Sequence, residues 1–288
     1  MSQVAVIFGM QRCGSNFFLS ACRRYADLTV YGEMYHRGGV FPFQQSQQGD
    51  YEIKRKLAYF IHNQFPEHGD PVLAGWDFQA PYSKENDEQL SRSLVQFAHR
   101  TPNKYFAAIR ETAETSRTLL KIFPEHLGVF HILSVLRVQR PPVILMARNP
   151  IESFISFKKL VETKKPQDVD TSGLKITFNK AEYYEYKAQL MAYFTSIAEF
   201  CADEGIPVTT VSYEWLHAAD AREKTDKVRE ALEIVFGRPV VEGADAGQVK
   251  LFRQQDKSSS AAAKVNNPGQ LPRGPQLLLQ ETALPKAS

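Results

Sequence analysis

Apolar positions along the chain follow two alternating rhythms. Short, mainly apolar runs at residues 4–8, 28–31, 118–123, 142–147 and 207–211 have the length of strands, and 4–8 and 142–147 read as buried ones. Between them, apolar residues recur every three or four positions, as in Ile53, Leu57, Phe60, Ile61 and Phe65. That second rhythm predicts helices from Phe17 onward and over 51–65, 85–98, 127–138, 150–163, 180–204 and 222–235. Pro150 suits a first helical position, and Gly205 a helix end. Two further runs, 72–78 behind Pro71 and 104–109, read as additional short strands.

Strands alternating with helices predict an α/β protein, a P-loop-type three-layer sandwich with a mainly parallel central sheet. Residues 1–267 read as one such domain. Residues 37–50, rich in Gly and Gln, read as a mobile loop, and 164–177 as a surface insertion. Residues 258–263 are of low complexity. The Pro-rich stretch 268–288 reads as a flexible tail.

Composition changes this picture little. The 288 residues are 43% hydrophobic and 23% charged, ordinary for a globular chain. A net charge of +3 is too small to argue for nucleic acid or a membrane as main partner, and no nucleic-acid partner is expected, yet it fits a locally held anion. Cys13, Cys22 and Cys201 make neither a metal spacing nor an even disulfide set, which favours a reducing, cytoplasmic setting. No apolar run approaches a membrane span, and no basic region precedes the first one.

The chemistry begins at the first strand's end. Gly9 to Asn16 is a glycine-bounded turn between a strand and a helix, so unsatisfied helix N–H groups converge there with partial positive charge. Arg12 adds a planar cation suited to phosphate or sulfate oxygens. Gly9-x-x-x-x-Gly14 has the spacing of an ATP-binding P-loop, but Ser15 and Asn16 stand where its lysine and its magnesium-binding hydroxyl belong. Glu33, the Lys121–His126 segment and Arg148 also follow predicted strands, where open α/β sheets bind ligands. An ordinary strand-to-helix turn remains the plain alternative. Cys13 beside Arg12 at a helix N-terminus is either a reactive, oxidisable thiol or a small buried residue.

Gln11-Arg12-Cys13-Gly14-Ser15-Asn16 resembles the first turn of the sulfotransferases that use 3′-phosphoadenosine 5′-phosphosulfate (PAPS), which reads roughly Pro-Arg/Lys-Ser-Gly-Thr/Ser-Thr/Asn. Gln11 and Cys13 are the departures. Arg148-Asn149-Pro150, with Ser156 eight residues after the arginine, is similar to the same family's second motif. The segment Tyr31-Gly32-Glu33-Met34-Tyr35 and the strand end Lys121-Ile122-Phe123-Pro124-Glu125-His126 look like those of bacterial carbohydrate sulfotransferases related to the nodulation-factor and trehalose enzymes. Ser212-Tyr213-Glu214-Trp215-Leu216 is similar to the family's Tyr-Glu-Asp-Leu, with Trp215 for the aspartate. Gln255-Asp256-Lys257 through Val265-Asn266-Asn267 looks like a late segment that closes over the nucleotide.

The resemblance implies PAPS as donor, 3′-phosphoadenosine 5′-phosphate (PAP) as product and no metal. It implies that Arg12, Cys13, Gly14, Ser15 and Asn16 hold the 5′-phosphosulfate, that Arg148 and Ser156 grip the 3′-phosphate, and that Lys257 belongs to the closing segment. Glu33 becomes the expected general base, with His36, Asp77 and His126 competing, and Lys121 an expected contact of the transferred group. The acceptor it implies is a hydroxyl on a carbohydrate, glycolipid or other small molecule, selected by loops 37–50 and 164–177. A P-loop phosphotransferase and a catalytically inactive nucleotide- or glycan-binding module are the alternatives.

Overall fold

Five runs pair into one sheet, and the inner strands are apolar because neither of their faces can be left in water. The computed structural model describes residues 2–43, 46–68, 73, 75–164, 170–218, 221–249, 251 and 260–272. Its strands are β1 (Gln3–Phe8), β2 (Leu28–Val30), β3 (Arg117–Ile122), β4 (Val143–Ala147) and β5 (Val208–Ser212), in the order β2-β3-β1-β4-β5. All neighbouring pairs are parallel, with Ile7 opposite both Lys121 and Ile144. β1 is therefore the middle strand, and its end opens between those of β3 and β4.

Helices cover both faces and make a three-layer sandwich. They are α1 (Ser15–Cys22), α2 (Gln47–Gln64), α3 (Lys84–Arg100), α4 (Pro102–Thr112), α5 (Val129–Gln139), α6 (Pro150–Thr163), α7 (Lys180–Glu204), α8 (Tyr213–His217) and α9 (Ala221–Phe236). Strand side chains alternate between two cores. Val4, Val6 and Phe8 join Leu120, Ile122, Val143 and Leu145 under α2–α5 and α7, whereas Ala5 and Ile7 join Leu119, Ile144 and Met146 under α1 and α9. A third cluster packs Phe154, Phe178, Tyr183 and Val265 together.

Helix ends follow their sequence signals. Ser46, Ser83, Asn149, Asn179 and Ser212 accept backbone N–H groups as N-caps, Pro102 and Pro150 sit in the first turn of α4 and α6, and Gly205 closes α7 with φ 62°. Such a cap typically contributes about 1 kcal/mol.

Two predicted strands are not strands. Residues 104–109 lie inside α4, because Pro102 begins a helix there and Tyr105, Phe106 and Ile109 share its buried face. Within 72–78, the described residues 75–78 form a turn region rather than a strand, and Asp77 accepts the N–H of Gln79. The loop read over 37–50 is shorter than expected, since α2 already begins at Gln47 under its Ser46 cap. The stretch read as a surface insertion also contributes to the interior. Thr171 and Ile176 are buried, and Ile176 bridges to Val265. Of the Pro-rich end, Pro268–Gln270 makes a 3-10 turn and Leu271 packs on the third cluster. Residues 273–288 lie outside the described residues. Among the described residues, no helix is long and apolar enough to cross a membrane.

Candidate active site

The turn between β1 and α1 carries two left-handed residues, Arg12 at φ 71° and Gly14 at φ 87°. Gly14 is required twice over. Its φ suits glycine, and a Cβ there would meet the Tyr213 ring at 2.8 Å. Arg12 has no such excuse, and a non-glycine residue held there is a local strain that the surroundings must over-determine. Those surroundings are visible. Arg12 Nε donates to Ser156 Oγ at 3.0 Å, and its backbone carbonyl accepts from Arg148 at 2.8 Å.

Arg148 leaves the end of β4 just before α6. Its guanidinium lies 4.1 Å from the centroid of the Tyr213 ring and 3.8 Å from Glu152. Its Nε is buried with no hydrogen-bond partner. Burial, and then the charge of Arg148, lower the pKa of Arg12. Two arginines thus meet at this turn, and one of them keeps a buried donor without a hydrogen-bond partner. Asn149 keeps β4 and α6 in register by capping the helix, and Glu214 accepts its N–H at 2.9 Å. Lys264 reaches in from the far end of the chain to Glu152 at 2.5 Å.

Across the turn lies a second cluster. The backbone N–H of Lys121 donates to the Gly32 carbonyl, so the ends of β2 and β3 meet. Glu33 is fixed there by a two-way backbone bridge with Phe41. Its carboxylate lies 2.9 Å from Lys121 Nζ and 3.4 Å from His126 Nε2. Lys121, almost fully buried, also donates to Asn16 Oδ1 at 2.6 Å and lies over the Phe123 ring. It thus links the carboxylate to the phosphate-type turn. Burial acts to raise the Glu33 pKa, but His126 and the charge of Lys121 outweigh it and bring it down to about 2.

His126 is buried, and its Nδ1 accepts the N–H of Phe123 at 3.2 Å. The neutral ring therefore carries its proton on Nε2, which faces Glu33 outside hydrogen-bond geometry. In this state it has no lone pair to offer an acceptor hydroxyl. His36, edge-on to His126 at 5.1 Å, likewise accepts Gly38 N–H at Nδ1. Glu33, His36 and His126 could by spacing hold a metal ion. Both imidazoles carry the Nε2 proton, however, and Lys121 already neutralises the carboxylate, so the donor set does not fit one.

Other expected residues fall differently. Cys13 lies in the turn, but its N–H bonds to the Met10 carbonyl and its thiol is buried, with burial raising its pKa. Its burial favours the small buried residue over the reactive thiol. Asn16 was expected to contribute its backbone N–H, and its side chain adds the bond to Lys121. Among the described residues, Asp77 bonds to neither Glu33, Lys121 nor Arg12. Lys257 lies outside the described residues.

Sequence reasoning undervalued Tyr213, which touches both Gly14 and Arg148, and missed His217. The His217 ring lies 4.1 Å from that of Tyr213, both its nitrogens are buried without partners, and burial with the charges of Lys224 and Arg148 lowers its pKa to about 4. The Tyr-Glu motif could have pointed to the first. No signal marked the second. No protein-family model matches the chain, and no curated protein matches it.

Proposed function

We propose that this chain is a sulfotransferase that moves a sulfuryl group from PAPS to an acceptor hydroxyl, on a carbohydrate or glycolipid. The observation that carries the reading is the junction of Arg12, Arg148 and Ser156 at the turn after β1, faced by the Glu33–Lys121 pair. Arg148 and Ser156, 136 and 144 positions beyond Arg12, both bond to it, and this convergence supports the reading.

Arg12 and the first N–H groups of α1 would hold the 5′ end of the donor, and Arg148 with Ser156 its 3′-phosphate. The donor supplies an activated sulfuryl group, whose sulfur–oxygen bond to phosphate breaks as the bond to the acceptor oxygen forms. Glu33 would take the acceptor's proton, and Lys121 would offset charge gathering on the leaving side. His126, with its ring nitrogens already directed, would orient Glu33 rather than touch an acceptor. The residues fit the donor because the site offers fixed cations and an unused buried guanidinium N–H.

Thermal-shift titration with PAP, ATP and AMP, each with and without magnesium, tests the reading. PAP is expected to stabilise most, independently of magnesium. A larger shift with magnesium-ATP would overturn the proposal in favour of a phosphotransferase.

A further inference from the structure

Glu33 and the turn after β1 compete for one cation. Lys121 Nζ is 2.9 Å from Glu33 Oε1 and 2.6 Å from Asn16 Oδ1, and only 3% of its side chain is exposed. Its third N–H is turned toward the Phe123 face, 4.9 Å from the centroid. A buried ammonium has three donors and no water to spare, so a stronger acceptor arriving at the turn must take it from a present partner. Asn16 sits at the N-terminus of α1, where an anion would arrive, and Glu33 sits on the other side.

A carboxylate clamped by an ammonium is a poor proton acceptor. The group that pairs with Glu33 is thus the group it must lose in order to act as a base. The groups facing Glu33 are Lys121 and His126 from the β3 end and His36 from its own loop, with Glu125 acting on His36 from farther off. Lys121 is the one whose other bond lies on the phosphate-type turn.

We propose that Asn16 is a positioning residue that holds Lys121 within reach of both sides, so that an anion entering the turn draws Lys121 off Glu33 and leaves the carboxylate free to take a proton. The inference rests on the sulfuryl-transfer reading and adds to it an order of events. The donor binds first and arms the base, and an acceptor bound alone meets a carboxylate already occupied. When transfer occurs, the acceptor O–H proton goes to Glu33 and the broken sulfur–oxygen bond leaves its electron pair on the 5′-phosphate.

Proton uptake on binding tests this without turnover. PAP is titrated calorimetrically into the full chain in buffers of different ionisation enthalpy, for the parent, Glu33→Gln and Asn16→Asp. If Lys121 leaves Glu33, the carboxylate returns toward an ordinary value. His126 still holds the carboxylate below its ordinary value, so binding takes up a fraction of a proton at about pH 4 that vanishes toward neutrality, over and above the Glu33→Gln control. Asn16→Asp, which grips Lys121 by charge, is expected to bind PAP at least tenfold more weakly and to lose most of that uptake. PAP binding with the same uptake in parent and Glu33→Gln would overturn the inference and leave the donor assignment standing. Failure of PAP to bind the parent at all would overturn both.

Discussion

The guanidinium of Arg148 donates to the backbone carbonyl of Arg12, so a residue at the end of β4 fixes the strained backbone of the turn after β1. One arginine thereby shapes the place where the other must act. Arg148→Ala should weaken PAP roughly ten- to a hundredfold, the range for losing a charged hydrogen-bond partner, and AMP far less. Isothermal titration of both ligands measures the ratio. Equal losses would remove Arg148 from the 3′-phosphate and leave it a structural tie.

Gly14→Ala should cost about 2–5 kcal/mol in urea unfolding, from a disfavoured φ and a collision with the Tyr213 ring together. Measured against Tyr213→Ala alone, Gly14→Ala should cost the φ part only. No cost in that background would mean that φ carries no penalty.

Acid should release the Glu33 cluster. The folded pKa of about 2 lies below the ordinary 4.5, so the pair stabilises the folded state above pH 4.5 and that contribution fades as pH falls through 2. The full contribution is on the order of 3 kcal/mol. Unfolding curves of the parent and Glu33→Gln should therefore differ near neutrality and converge toward pH 2. Curves that stay parallel would contradict the pairing.

Cys13, Cys22 and Cys201 are all free and buried, and burial raises each thiol's pKa. A thiol-reactive disulfide should label the native protein slowly and all three sites promptly in denaturant. Cys13→Ser should retain the parent's peroxide sensitivity. Fast native labelling lost in that variant would restore the redox reading.

The sheet was legible because parallel strands covered on both faces must be apolar throughout, and Val4 to Phe8 and Val143 to Ala147 can hardly be anything else. Lys104 to Ile109 misled for a related reason. A short run rich in aromatic and branched residues looks alike in a strand and on a buried helix face, and only Pro102 marked the difference. Site residues that follow strands were visible for topological reasons, as Arg12, Glu33, Lys121 and Arg148 were. The bond from Lys121 to Asn16 was not. It depends on where a side chain of β3 meets one from the first turn of α1, which no spacing along one chain records. His217 escaped for the same reason, since its surroundings come from α1, α8 and β4 together.

The placement of β1 also bears on how the protein is made. Both its neighbours pair with it from more than a hundred residues downstream, Arg117 opposite Gln3 and Val143 opposite Val6. A growing chain therefore exposes its apolar middle strand long before either flank exists, and non-local parallel pairing is slow to form. Arg12 cannot be drawn into its left-handed conformation until Arg148 has been synthesised. Fragments that stop short of β4 should display a bare β1 edge and aggregate, and the turn's geometry is among the last features of the fold to mature.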